Sequence, residues 1–510
     1  MTVGTDVRVA PDDRTRTGEL AGFARWPVLA IAGAAALVLL LTSGRYGYFG
    51  DELYFLVAGN QHPSWGYVDQ PPLLPMLARL MDTLLPGSLV GLRLPATLMT
   101  AAAVLIAALT ARELGGGRRA QTLAAAAYAL SPFLLAQGHL LATNTVDAFF
   151  WTVTTWLVVR WVRSRNDRLL LMLGAVTAVA LQAKFLIVAF WVAVAISALL
   201  VGPRELLRRP MLWAGAAITA LGMVPGLIWQ ANNGWPMFDM PTLVAGQVAA
   251  EWGGRASFVP LMLFGSGLLL GAVLLSFGLW RLLRSPELRP YRFLGWTVLG
   301  LIGTFLVAGG RFYYVAGLFA LCWAAGAVEL ERRGAARWWG WVPTWPVCAA
   351  SSVLVFWMLP VLPLSMVASK PGLTQPFAME EVGWPQYASS VARTYHSLPA
   401  VERRGAVILT DTYWRASALE RFGREQGLPP VYSANRGYWH FGKPAAGSGA
   451  VLYVGEDPGR LRSGFADLRQ VNRVELGLGV RNGQQGMPIW LLTGRDVSWD
   501  RLWPQLFHME

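Results

Sequence analysis

Two stretches of one loop decide the fold: residues 46–54 read YGYFGDELY, and residues 65–73 read WGYVDQPPL. Both follow the first long apolar block of the chain, at about 26–43. A polar tail over residues 1–25, rich in Arg and Asp, precedes that block, and no A-x-A cleavage pattern follows it. The block is therefore predicted to be an uncleaved membrane helix and not a signal peptide.

The composition excludes a soluble protein. The chain has 510 residues, of which 54% are hydrophobic and only 14% are charged, whereas soluble domains carry roughly 25% charged residues. Its mean hydropathy is +0.41. The net charge of +13 comes from arginines between apolar blocks, so it indicates membrane topology and not nucleic-acid binding. Cys322 and Cys348 lie in apolar segments without CxxC spacing, which gives no support to a disulfide framework or a zinc site.

The apolar blocks predict about eleven membrane helices, since one helix needs ~20 apolar residues to cross a bilayer. The stretch 169–201 is too long for one span, and it predicts two short helices that meet near Gln182–Lys184. The blocks lie near 26–43, 94–111, 121–138, 146–162, 169–183, 185–201, 211–230, 256–280, 293–309, 312–328 and 341–362.

The distribution of arginines predicts the orientation, because short basic loops stay in the cytoplasm. The N terminus is then cytoplasmic, and an odd number of spans places the C-terminal tail outside the cell, at an inner or plasma membrane. The cytoplasmic loops hold Arg112, Arg118, Arg119, Arg163, Arg165, Arg168, Arg204, Arg208, Arg209, Arg281, Arg284, Arg289, Arg292, Arg332, Arg333 and Arg337. The external loops are then 44–93, 139–146, 231–255 and 309–312.

The chain changes character at about residue 366. Strands that alternate with helices indicate a small α/β domain, and the topology places this domain outside. The predicted strands are Ala406–Thr410, Val451–Gly455 and Pro488–Thr493, and the predicted helices are Ser417–Gln426 and Asp457–Leu468. The predicted domains are a disordered tail (1–25), a membrane domain (26–365) with its large first external loop (44–93), and an external domain (366–510).

Candidate functional residues in the first external loop are the carboxylates Asp51, Glu52 and Asp69. The adjacent pair follows a membrane helix, so it lies where a lipid headgroup would lie, although a solvated pair is the simpler interpretation. For Asp69 the simpler interpretation is a cap on a helix opened by two prolines. The apolar residues from Leu73 onward fall on one face and predict an amphipathic helix in the membrane interface.

Further candidates lie at the external ends of the apolar blocks. An ionisable group there is energetically costly and marks a functional site by default. Asp147 is one such group, although a helix N-terminus also favours an acid. Lys184 is the other, although its side chain could also snorkel to the interface. Arg255 and Arg311 are isolated cations on the arginine-poor side, where an anion such as phosphate is a fitting partner. The aromatic residues after Arg311, including Tyr313, also suit an interfacial belt.

The acidic pair followed by Gly-Tyr-x-Asp-x-Pro-Pro-Leu (66–73) resembles the bacterial glycosyltransferase family 39. Its members are membrane enzymes of the GT-C fold, related to protein O-mannosyltransferases and lipid A aminoarabinose transferases. Asp147 and Lys184 match a second acid and a lysine of that group, and the segments 417–423 and 433–439 resemble its outer domain.

The resemblance implies transfer of a sugar, with inversion, from a polyprenyl phosphate to a hydroxyl of a lipid, glycan or protein outside the membrane. Asp51 would be the general base, with Glu52 and Asp147 as further catalytic acids. The donor phosphate would be bound by Lys184, Arg255 and Arg311, and substrate by Tyr67, Asp69 and Tyr313.

Other properties of the site stay open at this point. Some GT-C enzymes use a divalent cation, and the sequence fixes no ligand set for one. We expect the external domain to shape acceptor choice and the membrane domain alone to bind the donor. The alternative function is a transporter or lipid flippase, for which two related halves with paired broken helices are expected. The halves 26–200 and 211–362 show no such repeat.

Overall fold

The computed structural model describes residues 20–336, 339–370, 372–373 and 376–509. Most of the predicted N-terminal tail, residues 1–19, lies outside the described residues, as does Arg337. The α-helices are α1 (Arg25–Ser43), α2 (Gly50–Gln61), α3 (Leu73–Leu84), α4 (Leu89–Glu113), α5 (Arg118–Ala129), α6 (Pro132–Gly138), α7 (Thr143–Ser164), α8 (Arg168–Leu181), α9 (Ile187–Val201), α10 (Pro210–Asn232), α11 (Met240–Glu251), α12 (Phe258–Ser266), α13 (Leu270–Arg284), α14 (Arg292–Ala308), α15 (Phe319–Arg333), α16 (Trp345–Met358), α17 (Leu364–Ser369), α18 (Pro376–Met379), α19 (Trp384–Ser397), α20 (Ala400–Arg403), α21 (Tyr413–Gly423) and α22 (Trp499–Leu506).

Short 3₁₀ helices and five strands complete the described chain. The 3₁₀ helices are Arg204–Arg208, Pro236–Phe238, Gly254–Ser257, Arg289–Tyr291, Phe312–Leu318, Arg424–Gln426, Arg436–Phe441 and Gly459–Gly464. The strands are β1 (Val407–Thr410), β2 (Val431–Ser433), β3 (Val451–Val454), β4 (Phe465–Arg473) and β5 (Pro488–Arg495).

The helical part is that of a multi-pass membrane protein. In the described chain, five helices are long and apolar enough to cross a membrane, or six if a pair bent by 112° counts as one span. The five are Arg25–Ser43, Leu89–Glu113, Pro210–Asn232, Arg289–Ala308 and Phe312–Arg333, and α8, α9 and α16 are shorter apolar helices. A total of eleven spans stays a prediction.

Three predicted blocks are broken, two of them unexpectedly. The break in 169–201 is confirmed, because α8 ends at Leu181 and α9 begins at Ile187. The block 121–138 is divided at Ser131, since a proline in the first helical position starts a new helix, α6. The block 256–280 bends at Gly267, which has a φ of +106°, so neither block is the single straight helix that the hydropathy predicts.

The helices pack closely where glycines face each other. Helix α13 contacts α15 through Gly278 and Gly326. A Cβ atom on Gly278 would lie 1.8 Å from the carbonyl oxygen of Cys322, so this contact excludes any larger residue. Small residues at such crossings are typical of membrane helices. The charged candidates lie at the end of this bundle that faces the C-terminal domain.

The loop between α1 and α4 folds into two helices, α2 and α3, of which α2 contacts the C-terminal domain. Helix α3 is amphipathic as predicted, with Leu74 and Ala78 buried and Met76 and Leu80 about half exposed. Helix α2 carries the acidic pair in its first turn and packs against α21. The loop is therefore a structural link between the two parts of the molecule.

The C-terminal residues form the predicted α/β domain, whose five-stranded sheet has the order β2-β1-β3-β5-β4. Strands β2, β1 and β3 are parallel, whereas β5 is antiparallel to both β3 and β4. Helices α19 and α21 pack on one face, and α22 packs on the other. The prediction of a helix over Asp457–Leu468 is wrong, because this segment forms a short 3₁₀ helix and the start of β4. Leu461, Phe465 and Leu468 have helical spacing, but pairing with β5 decides the structure.

Candidate active site

Asp51 lies in the first turn of α2 and is held by the C-terminal domain. Its Oδ1 atom accepts hydrogen bonds from the Tyr413 hydroxyl (2.7 Å) and from Nε1 of Trp414 (2.8 Å). Gly50 permits this approach, since a Cβ atom there would lie 2.2 Å from the Trp414 ring. The half-buried carboxylate keeps its Oδ2 atom without a hydrogen bond to any described residue. Asp51 is thus fixed through one oxygen and free at the other.

Asp69 lies close to Asp51, with which it interacts electrostatically. Its Oδ1 atom accepts a hydrogen bond from the Tyr54 hydroxyl (3.2 Å), and the Tyr54 ring packs edge-on against Tyr413 at 4.9 Å. Burial raises the pKa of Asp69 to about 6, and the nearby Arg436 opposes this shift. The two carboxylates therefore share an aromatic frame, in which burial makes Asp69 harder to ionise than an exposed aspartate.

Arg436 brings a cation from the C-terminal domain to these carboxylates. Its guanidinium group lies 5.2 Å from the centre of the Tyr413 ring, and Nη1 donates a hydrogen bond to the Tyr413 hydroxyl (3.3 Å). Nε donates to the carbonyl oxygen of Met509 (3.0 Å), so the C-terminal residues hold the side chain. The charge interacts with both Asp51 and Asp69. The C-terminal domain therefore contributes a cation beside Asp51, and the expectation that the membrane domain alone binds the donor stays a prediction.

Lys184 lies in the break between α8 and α9 and faces the N-terminal end of α7. Its Nζ atom donates to Oδ1 of Asn144 (3.0 Å) and lies 4.5 Å from the centre of the Tyr314 ring. Asp147, buried and hydrogen-bonded to Nε1 of Trp151 (3.1 Å), supplies the nearest negative charge. The break keeps the lysine among aromatic rings, which favour a cation.

Arg311 completes the group of cations. Its Nη1 atom donates to the Tyr313 hydroxyl and its Nη2 atom to Oε1 of Gln247, both at 2.7 Å. Its buried Nε atom has no hydrogen-bond partner in the described chain. Arg311 interacts electrostatically with Lys184 and Arg436. Arg311 is therefore within electrostatic range of both Lys184 and Arg436, and Arg436 in turn interacts with Asp51.

Glu52 lies next to Asp51 in sequence but belongs to a separate, fully buried ion pair. Arg93 donates from Nε to Oε1 of Glu52 (2.8 Å) and from Nη2 to Oε2 (2.7 Å), and both side chains have no exposed surface. Glu381 and His139 close the group: Oε2 of Glu381 lies 3.1 Å from Nη2 of Arg93 and 3.2 Å from Nε2 of His139. Arg93, His139 and Glu381 are thus functional neighbours that sequence reasoning missed.

Glu52 also accepts two backbone hydrogen bonds. The backbone N–H of Phe49 donates to Oε2 (2.9 Å), and that of Leu141 donates to Oε1 (3.0 Å). The carboxylate therefore ties α2 to α4, to the loop after α6 and to the segment before α19. With both oxygens used in this way, Glu52 positions the loop that carries Asp51.

Two other predicted site residues lie apart from the cations. Tyr67 is buried, and its hydroxyl donates to backbone carbonyls of the same loop, at 3.0 Å for His62. Arg255 is exposed and makes no ion pair or hydrogen bond with the described residues. Within the described ranges, no three His, Cys, Asp or Glu side chains form a group that could hold a metal ion. Arg255 therefore adds nothing to the cluster around Asp51, whereas the Tyr67 ring lies 6.5 Å from that of Tyr54 and interacts with Asp69.

Comparison with known proteins gives the fold. Residues 69–229, which include Asp69, Asp147 and Lys184, match the model of the dolichyl-phosphate-mannose-protein mannosyltransferase family. The crystal structure of ArnT from Cupriavidus metallidurans bound to undecaprenyl phosphate is 15% identical and has a TM-score of 0.57, covering 91% of this chain and 97% of that chain. No curated protein sequence matches significantly.

Two further structures have lower scores. The arabinofuranosyltransferase AftD from Mycobacteria is 16% identical, with a TM-score of 0.48, 94% of this chain and 41% of that chain covered. The oligosaccharyltransferase AglB from Archaeoglobus fulgidus, in complex with an inhibitory peptide and a dolichol-phosphate, is 13% identical, with a TM-score of 0.43 and coverages of 79% and 64%. The chain is a multi-pass membrane protein with the GT-C fold, which it shares with ArnT, and part of it matches the mannosyltransferase family model.

Proposed function

We propose that the protein transfers a sugar from a polyprenyl-phosphate donor to an acceptor hydroxyl at the external face of the membrane. The observation that carries this proposal is the series of cations Lys184, Arg311 and Arg436, in which Arg311 interacts with the other two and Arg436 interacts with Asp51. A related fold binds undecaprenyl phosphate in ArnT, and a phosphate is the anion that such a group of cations suits.

The donor phosphate would lie between Lys184 and Arg311. A buried cation with few partners is unfavourable unless an anion neutralises it, and the free Nε atom of Arg311 is such an unsatisfied group. Charge-assisted hydrogen bonds to phosphate are the strong kind. Tyr313 and Asn144 hold the two cations in place, so the site is preorganised before the donor arrives.

The reaction is a single displacement with inversion. The acceptor oxygen bonds to the anomeric carbon, and the bond from that carbon to the phosphate oxygen breaks. The electron pair leaves with the polyprenyl phosphate, whose new negative charge the three cations stabilise. Oδ2 of Asp51 takes the acceptor proton, for which a base must come within ~3 Å of the hydroxyl oxygen.

The remaining carboxylates have supporting roles. Asp147 balances the charge of Lys184, with which it interacts. Asp69 balances Arg436, which in turn donates to the Tyr413 hydroxyl that bonds Asp51. The proposal includes the predicted orientation, with the N terminus in the cytoplasm and the C-terminal domain outside.

The test is a transfer assay with purified protein in nanodiscs. Polyprenyl monophosphates that carry a labelled hexose or pentose are supplied together with membrane lipids, glycans and peptides as acceptors. We expect at least one donor to yield free polyprenyl phosphate and a labelled product with inverted anomeric configuration. Binding of polyprenyl phosphate to the wild type is measured in parallel. Absence of both binding and transfer for every donor would contradict the proposal.

A further inference from the structure

A second cavity lies between the end of α2 and the C-terminal domain. Its volume is about 410 Å³, within the roughly 300–1,000 Å³ that ligand sites occupy. The lining includes Gln61, His62, Glu420, Arg424, Tyr438 and Phe441. None of these six side chains takes part in the reaction proposed above.

Flat rings form one wall of the cavity. The His62 ring stacks on Phe441, with 4.2 Å between the ring centres and 3° between the planes. Tyr438 lies 5.0 Å from the same phenylalanine. Phe441 also lies 5.9 Å from the ring of Tyr54, which donates to Asp69. A series of ring contacts therefore connects the wall of the cavity to Asp69.

Two buried polar groups, the Glu420 carboxylate and the Tyr438 hydroxyl, lie at the cavity and interact with each other. The hydroxyl is within hydrogen-bonding reach of the carboxylate, although the contact departs from ordinary hydrogen-bond geometry. Tyr438 as a whole is 3% exposed. Neither Oε2 of Glu420 nor the Tyr438 hydroxyl has another hydrogen-bond partner among the described residues, so a ligand that brings hydroxyl groups can add hydrogen bonds to this pair.

The charges of the lining balance. Glu420 is opposed by Arg424 one helical turn away, and burial lowers the pKa of His62, which keeps that ring neutral at pH 7. A phosphate or another strongly charged ligand would therefore be disfavoured. Pro429 and Pro430 also line the cavity and offer no backbone N–H, which disfavours a peptide that binds by strand addition.

We propose that this cavity binds a neutral sugar residue of a glycan acceptor, so that the acceptor of the proposed glycosyl transfer is itself a glycan. This inference rests on the proposed function. The C–H face of a sugar ring packs on the His62–Phe441 rings, and its hydroxyl groups bond to Glu420 and Tyr438. Glu420, His62 and Tyr438 would then determine acceptor specificity without touching the donor.

The experiment is saturation-transfer NMR on the full-length protein in nanodiscs, with linear trisaccharides of mannose, glucose and arabinose as probes. We expect saturation transfer from the protein to at least one trisaccharide, which would show that this trisaccharide binds. Glu420→Gln should weaken its binding roughly tenfold, the size of one hydrogen bond, and His62→Ala should weaken it through the loss of the ring on which the sugar packs. Glu425→Gln, an exposed neighbour outside this cavity, is the matched control and should bind as the wild type does.

The outcomes separate this inference from the proposed function. Asp51→Asn should keep saccharide binding while transfer is lost, and Glu420→Gln should keep binding of polyprenyl phosphate. Lack of saturation transfer to all three trisaccharides would overturn the inference, and so would equal binding by the wild type and both cavity variants. Displacement of a bound saccharide by a Ser/Thr-rich peptide would assign the cavity to a protein acceptor instead.

Discussion

Asp51 and Glu52 are neighbours in sequence, yet they lie in two chemically different regions. Glu52 has no exposed surface, and both its oxygens are bound by Arg93 and by backbone N–H groups. Asp51 is half-buried, and only its Oδ1 atom has partners in the described chain. One carboxylate is saturated with hydrogen bonds, whereas the other keeps an oxygen for chemistry.

The difference assigns separate tasks to the two acids. A saturated, buried ion pair fixes the loop but has no atom left for a substrate, and breaking such a pair leaves a buried charge uncompensated. A carboxylate anchored at one oxygen keeps its orientation and can still accept a proton at the other. Changes in the Arg93 region should therefore affect stability, and changes around Asp51 should affect function.

The largest effect is expected for Glu52→Gln. The amide cannot neutralise Arg93, which is fully buried and would keep Glu381 as its remaining carboxylate partner, so the free energy of unfolding should fall by up to about 3–5 kcal/mol, the range for broken buried pairs. Denaturant or thermal unfolding in detergent measures this change. The matched control is Asp51→Asn, because the asparagine oxygen still accepts the bonds from Tyr413 and Trp414. Equal stability of the two variants would remove the distinction between the regions.

Lys184→Ala should change function without unfolding the protein. We expect binding of polyprenyl phosphate to weaken by roughly 1.5–3 kcal/mol, the range for a hydrogen bond to a charged group. Lys184→Arg should recover part of this loss, because the charge remains but its shape differs. Arg255→Ala is the control, since Arg255 is exposed and outside the cluster, and it should bind as the wild type does.

The Lys184 variants also separate the two function classes. Unchanged affinity of Lys184→Ala for the lipid phosphate would contradict its place in the donor site and favour the transporter interpretation. In a transporter the same change would alter ion coupling instead. Binding to protein in nanodiscs is the appropriate measurement, because it does not depend on knowing the acceptor.

The smallest effect concerns pH. Asp69, whose pKa burial raises to about 6, takes up a proton as the pH falls below that value, and Arg436 then loses one of its two negative partners. We expect kcat/KM to fall by a factor of roughly 2–5 across this step, since a partly exposed charge pair contributes ~0.5–1 kcal/mol. Asp69→Asn should abolish this pH-dependent fall in kcat/KM and keep the lower activity at all pH values. If the variant shows the same fall as the wild type, a group other than Asp69 causes it.

The sequence predicts the elements that depend on local patterns. The break before Lys184, the amphipathic helix α3 and three of the five strands follow from apolar periodicity and length. The Glu52–Glu381–Arg93 group does not, because its members are far apart in the chain and each resembles an ordinary charge at a helix end. Arg93 and Glu381 are 288 positions apart in the chain, and only the fold brings them together.

Neither the role of Arg436 nor strand β4 could be predicted from the sequence, because tertiary contacts determine both. Arg436 lies in a C-terminal segment whose role depends on the docking of that domain over α2. The sequence signal for a functional role was a cation among the aromatic residues of 433–439. The predicted topology, however, does not indicate that this segment lies near Asp51. Strand β4 has helical apolar spacing at its start, and tertiary pairing with β5 overrides it.

The most direct test of the account compares turnover by wild type and Asp51→Asn at equal amounts of folded protein, with a polyprenyl-phosphate sugar as donor. If Asp51 is the general base, its loss should lower kcat by a factor of ~10² or more. Thermal stability and binding of polyprenyl phosphate should stay near those of the wild type. Turnover equal to that of the wild type would contradict the catalytic role of Asp51 and the division of labour between the two acids.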